Sequence, residues 1–351
     1  MDSMVRLNYF FLLVVLTVML GSCSSQGEQQ KATISVSILP QKYFTEQLVG
    51  NTYDINVLIP PGASPATYDP PPGKIQRLVN SKLYFKMGYL EFEKNYLDNI
   101  KETNKQLKIV NTAEGVNLIE GHHRHHVHDG DEVHDIHGAH GTHDTHDAHG
   151  AYDVNDADGE YDGHAQDGHD ALDALERHAG QDKGRQHYDP HIWVSPKQVK
   201  LVIENMYGAI NQLDTANRDF YGDRYKKFMN SIDSIDRVIR ERFSDLNNRK
   251  FIIFHPALSY LARDYGLEQI SIEVEGKKPT AATIKEVIDI AKERNIKTIL
   301  IQQQFPMENA RAIADEIGGA VVQVDPLAED WLKNMDEMTL KLKQALETDI
   351  Q

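Results

Sequence analysis

A chain of 351 residues is long enough for two ordinary domains, each with a core of its own. Its formal charge of −16 excludes a surface of clustered Lys and Arg, and with it a nucleic-acid role. The acid is concentrated: residues 122–187 carry sixteen Asp and Glu against four Lys and Arg, so the remainder is a mildly acidic globular sequence.

The N-terminus has Arg6 and then an apolar run from Tyr9 to Leu20. Twelve apolar residues are too few to cross ~30 Å of hydrocarbon, and with small residues following them they read as an export signal. Cys23 is the single cysteine, which excludes an intramolecular disulfide and a thiolate metal cluster. Leu20-Gly21-Ser22-Cys23 resembles the bacterial lipobox, which implies a signal peptide over residues 1–23, lipidation at Cys23 and a polar tether over 24–31.

Ala32–Leu39 and Tyr53–Ile59 are strand-length runs rich in β-branched residues, with the helix-like QKYFTEQLVG between them. The proline-rich stretch Pro60–Lys74 reads as a loop, and KLYFKMG, LEFEKNYLDNIKE and KIV continue as strand, helix and strand. Residues 121–187 are dominated by His, Asp, Gly and Ala, too poor in large apolar side chains to offset the entropy of ordering. They are expected to be a disordered insertion with a weak helix at HDALDALERHA, inside an N-terminal lobe spanning 32–210. Tyr221, Tyr225, Phe228, Ile232, Ile235, Ile239 and Phe243 recur at spacings of three and four, which predicts one helix from Asn217 to Leu246, ~45 Å long. Residues 211–248 are accordingly read as a linking helix, and 249–351 as a C-terminal lobe in which strands and helices alternate. The fold class expected is α/β: two lobes with mostly parallel sheets flanked by helices, joined by one long helix.

Imidazole is a common ligand for zinc. Fifteen of the seventeen histidines lie in the insertion, eleven of them between 121 and 150: His122, His123, His125, His126, His128, His134, His137, His140, His143, His146 and His149. Flanked by Asp and Gly, these are expected to take up several ions weakly, because each capture must also order flexible chain. His191 and His255 stand in sequence that should be folded. His191 sits in YDPHIWVSP, where Ser195-Pro196 matches an N-cap followed by proline at the first helical position. His255 ends the run KFIIF and Asp325 ends AVVQV, each followed by proline, at the carboxyl ends of strands where α/β sheets bind ligands. Two imidazoles and a carboxylate make a plausible zinc set, and imidazole content favours Zn2+ over Mn2+.

PPGASPATYDPPP, DPHIWVSP, FHPALSYLARDYG and VDPLAED, in this order and with an acidic histidine-rich insertion just before DPHIW, resemble the solute-binding lipoproteins of bacterial zinc and manganese ABC importers, the ZnuA-like or TroA-like group. The resemblance runs from about Thr33 to the C-terminus. It implies two α/β lobes joined by a long helix, a metal between them, little hinge motion on release, and His191, His255 and Asp325 as the second, third and fourth ligands. The first ligand of that group is a His in P-H-x-Y-x-P, and here the matching residue is Ala66. Its methyl cannot bind a metal, so the substitutes considered are water, a side chain among Asp69, Glu273, Glu275 and Gln303, or an imidazole of the insertion.

The expected function is that of a lipid-anchored extracytoplasmic protein, periplasmic or at the cell surface, which binds Zn2+ as a monomer and delivers it to an ABC permease. Two alternatives stand beside it: a metal-buffering or adhesin-like surface lipoprotein, and a zinc hydrolase using an open coordination position. The sequence carries no H-E-x-x-H helix for the second, and the chain is read as a binding protein and not an enzyme.

Overall fold

The computed structural model describes residues 31–121, 187–273 and 278–348. The apolar N-terminal run, Cys23, the eleven clustered histidines, the segment HDALDALERHA and Glu275 lie outside the described residues. The described residues fall into two units, one of residues 31–119 with 188–348 and a smaller one to which Glu120, Gly121 and His187 belong. In the smaller unit the Gly121 N–H donates to the His187 carbonyl at 2.7 Å. All elements below belong to the larger.

Its first sheet is built from β1 (Thr33–Val36), β2 (Asp54–Val57), β3 (Leu83–Lys86) and β4 (Lys108–Asn111), in the order β2-β1-β3-β4. Every pairing is parallel. Parallel strands need crossovers, supplied here by α1 (Leu39–Val49), α2 (Pro72–Val79) and α3 (Glu91–Thr103). The strands are covered on both faces, which is why neighbouring Leu83, Tyr84 and Phe85 are all fully buried instead of alternating. α2 was hidden in the proline-rich stretch: Pro72 opens it at a first-turn position, where a fixed φ helps and the missing N–H costs nothing.

A 3-10 turn (Ile192–Val194) leads into α4 (Pro196–Leu213), and a second 3-10 turn into α5 (Arg218–Arg242). α5 buries Tyr221, Phe228, Ile232, Ile235 and Ile239, the stripe that the spacing predicted, but it stops short of Leu246. Arg249 ends it: its Nη2 donates to the carbonyls of Phe243 (3.0 Å) and Ser244 (3.2 Å), which a continuing helix would need for itself.

The second sheet repeats the arrangement of the first. It comprises β5 (Lys250–Ile253), β6 (Glu268–Ser271), β7 (Thr298–Gln302) and β8 (Ala320–Val324), all parallel, in the order β6-β5-β7-β8. Around it lie α6 (Ser259–Tyr265), α7 (Ala281–Glu293), α8 (Glu308–Glu316) and α9 (Trp331–Thr348). The chain leaves β5 toward β6 and then crosses back to β7, so the strand order reverses between β5 and β7, where open α/β sheets form a crevice at their carboxyl ends.

The lobes share a core. One apolar cluster runs from Ile34, Phe44 and Phe85 through Phe228, Ile232 and Ile239 of α5 to Phe251, Trp331 and Leu346. A second, with Ile252, Phe254, Ile299, Ile301 and Ile313, serves the other face of the second sheet. Two indoles join the parts: Trp193 Nε1 donates to the Pro326 carbonyl at 2.8 Å, and Trp331 Nε1 to the Trp193 carbonyl at 2.7 Å. Phe44 of α1 meets the Trp331 ring edge-on at 5.3 Å.

Candidate metal centre

His191 is set by the residues just before it. Asp189 folds back so that its Oδ1 accepts both the His191 backbone N–H and Nδ1, each at 2.8 Å. The Tyr260 hydroxyl donates to the Asp189 carbonyl at 2.9 Å and anchors this turn to α6. Burial pushes the Asp189 carboxyl up, but the charge and hydrogen bonds of His191, with help from Ser259, outweigh it and hold the group below its usual range. The expected N-cap differs in one respect: Ser195 stands at the N-cap and Pro196 follows it, yet the Ser195 hydroxyl donates to Asp264 Oδ2 at 2.6 Å instead of capping.

His255 lies two residues past β5. Gln302, the last residue of β7, grips its backbone from both sides: its Nε2 donates to the His255 carbonyl at 2.5 Å and its Oε1 accepts the His255 N–H at 3.2 Å. Behind the ring, Glu273 Oε2 accepts from Nδ1 at 2.7 Å. Glu273 is buried and is carried there by β6, whose pairing with β5 continues as Glu273 N–H to the Phe254 carbonyl at 2.8 Å.

The two imidazoles are thus held alike, Nδ1 against a carboxylate and Nε2 forward. The Nε2 atoms face each other at 3.4 Å, with the rings inclined at 72°. Carboxylates accept and do not donate, so each pins a proton on Nδ1, and in the neutral ring that leaves the Nε2 lone pair exposed. Two facing lone pairs repel unless a proton or a metal ion stands between them. Two nitrogens ~2.0–2.1 Å from one tetrahedral zinc stand roughly 3.3–3.4 Å apart, and this pair already has that span. Trp193 at 5.1 Å from the His191 ring and Phe305 stacked at 5.4 Å on His255 wall the pair with apolar surface.

Asp325 is held in another way. Its Oδ1 accepts from Gln304 Nε2 at 2.9 Å and from the Leu327 N–H at 3.0 Å, and its carbonyl accepts from Asn334 Nδ2 at 2.7 Å. Among the described residues no three His, Cys, Asp or Glu side chains are gathered closely enough to hold a metal. The structure therefore brings His191 and His255 together and leaves Asp325 outside that pair.

The substitutes considered for Ala66 fare differently. Ala66 is exposed in the loop between β2 and α2, and Asp69 in the same loop accepts the Tyr96 hydroxyl at 2.5 Å. Glu273 is engaged with His255, and Gln303 is exposed, its N–H on the Val324 carbonyl. The neighbours of Gln303 in the run Gln302-Gln303-Gln304 hold the site instead, and sequence reasoning passed over both. A polar run ending an otherwise apolar strand was their one visible signal. Asp189 was missed as well, although its place two residues before His191 in a tight turn hints at a bond to the imidazole.

The model of one protein family, the ZnuA family described as "Zinc-uptake complex component A periplasmic", matches residues 34–345. The chain belongs to this family. It is 25% identical over 303 residues to the high-affinity zinc uptake system protein ZnuA of Bacillus subtilis, covering 85% of this chain and 78% of that protein. It is 23% identical over 327 residues to the zinc-binding protein AdcA of Streptococcus pyogenes, of which it spans 55% while 91% of this chain is covered. A crystal structure of ZnuA superimposes with a TM-score of 0.68 at 30% identity, covering 90% of this chain and 99% of that one. The periplasmic zinc-binding protein TroA of Treponema pallidum shares the fold, with a TM-score of 0.66 at 15% identity over 90% of this chain and 99% of that one. No helix among the described residues is long and apolar enough to cross a membrane.

Proposed function

We propose that this member of the family captures Zn2+ outside the cytoplasm and hands it to an ABC permease. The observation that carries the reading is the facing pair of Nε2 atoms, 3.4 Å apart and each backed by a carboxylate, a span that suits one tetrahedral zinc. His191 and His255 are the first two ligands to engage, and Asp325 completes the protein's share by turning one carboxylate oxygen to the ion. Zinc is cargo here, held and released unchanged, so the chain acts by binding and not by turnover. The histidine tract raises the zinc concentration near the protein, and Cys23 ties a monomer to the membrane through its lipid.

Supporting the zinc reading, a ZnuA deletion mutant, 31% identical to this chain, has been crystallised with zinc bound. The decisive experiment counts tight zinc in the chain from residue 24 with residues 122–187 replaced by a short Gly-Ser linker. One tight zinc should survive the replacement and be lost on His191→Ala or His255→Ala. Loss of tight zinc with the linker alone would move the site into the histidine tract and make the protein a metal buffer. Retention in both histidine variants would remove the pair from the site.

A further inference from the structure

β7 lies between β5, which delivers His255, and β8, which delivers Asp325. It ends at Gln302, and the turn that follows begins with Gln303 and Gln304. Gln302 grips the His255 backbone, and Gln304 Nε2 donates to Asp325 Oδ1 at 2.9 Å. Since a carboxylate accepts only, the amide must present its NH2 here, and the bond is charge-assisted.

We propose that Gln304 is a specificity-determining residue for the metal. The inference rests on the reading of Asp325 as a zinc ligand given above. A carboxylate oxygen has two lone pairs in its plane, and both on Oδ1 are taken, one by Gln304 Nε2 and one by the Leu327 N–H. Asp325 therefore has Oδ2 to give. It enters the coordination sphere through one oxygen, which suits a four-coordinate zinc beside two imidazoles. A cation that takes more oxygen ligands, such as Mn2+, would gain from a bidentate carboxylate, and Gln304 denies it the second oxygen. The Leu327 bond is local to the turn and moves with Asp325. The Gln304 bond comes from the turn after β7, the strand whose last residue grips His255, and ties the carboxylate to that element.

The test uses the whole chain, stripped of metal, with Co2+ as a spectroscopic probe and with Zn2+ and Mn2+ titrated separately. The variants are Gln304→Leu, which removes the donor, and Gln304→Glu, which keeps the shape and cannot donate when ionised. Gln304 is half-exposed, so neither change opens a buried hole. We expect the wild type to give the intense visible bands of tetrahedral Co2+ and both variants to give the weaker bands of higher coordination. The ratio of Mn2+ to Zn2+ dissociation constants should fall by roughly tenfold or more, the usual scale for losing a partner that orients a ligand. Tetrahedral bands and an unchanged ratio in both variants would overturn the proposal. Asp325→Ala is measured in parallel: if it leaves the zinc constant unaltered, the reading of Asp325 as ligand fails, a result distinct from the failure of Gln304.

Discussion

Glu273→Gln keeps the shape of the side chain behind His255 and removes its charge. Glu273 is 4% exposed and accepts from His255 Nδ1 at 2.7 Å, so water cannot take its place. A hydrogen bond to a charged group contributes about 1.5–3 kcal/mol and a neutral one about 0.5–1.5, so the change forfeits about 1–2 kcal/mol of what holds the imidazole ready. An amide adds a further fault. It can rotate to donate its NH2 to Nδ1, which sends the ring proton to Nε2 and blocks the lone pair that faces His191. Zinc affinity is therefore expected to fall roughly 10- to 100-fold, the scale seen when such a supporting carboxylate is lost. The assay is competition for zinc against a chromophoric chelator, with thermal unfolding of the zinc-free protein followed alongside. Wild-type affinity in Glu273→Gln would refute the account in which a carboxylate sets the tautomer of His255. A loss matched by Glu273→Ala, at unchanged apo stability, would sustain it.

Trp331→Phe leaves the Trp193 carbonyl without its 2.7 Å donor and a void beside Phe44; together these should cost about 2–4 kcal/mol by urea unfolding, and a cost below about 1 kcal/mol would deny the indoles their joining role. Glu93 is fully buried, and burial pushes its carboxyl above the usual range against the donors Ser37, Gly88 and Met87. A raised acid stabilises the fold most below its unfolded value near 4.5 and loses that contribution as pH rises through the folded value, so the stability gap between wild type and Glu93→Gln should narrow from pH 4 to pH 7. A gap that widens over that range would reverse the sign. Ala66→His restores the imidazole that the P-H-x-Y-x-P pattern implies, and should slow zinc dissociation by roughly tenfold or more in stopped-flow chelator chase. An unchanged rate would place the loop of residues 60–71 away from the bound ion.

The alternation of strand and helix was legible because parallel strands buried on both faces read as continuous apolar runs, as Leu83–Phe85 and Ile299–Ile301 do. The start of α2 was not, because Pro70-Pro71-Pro72 signals a loop just as strongly as it signals a first helical turn. Nor was the end of α5, which depends on Arg249 reaching back over six residues to Phe243. His191 and His255 stood out because they are chemically rare outside the tract and fall in loops beside proline. What holds them did not. Glu273 and Gln302 reach His255 across strands, and the register that aligns β6, β5 and β7 leaves no trace in any local stretch of sequence. Glu273 was visible as a carboxylate, but its position behind the ring, not in front of it, is a fact of that register.

The same commitments bear on the position that Ala66 leaves open. Of the side chains that sequence offered as replacements, Asp69 is turned to Tyr96, Glu273 is spent on His255, and Gln303 is exposed with its neighbours doing the positioning. In the reading proposed above, a zinc held by two imidazoles and one oxygen of Asp325 would leave one place for water or for a histidine of the tract. Three protein ligands and an exchangeable fourth are the coordination that catalytic zinc sites use to let a ligand come and go. A transport protein has a parallel need at the other end of its cycle, since the permease must remove what the cleft has bound. On the proposed ligand set, an exchangeable fourth ligand would give an incoming donor a place to attack zinc without first displacing protein, and release would not require the lobes, joined by Trp193, Trp331 and the shared core along α5, to swing apart.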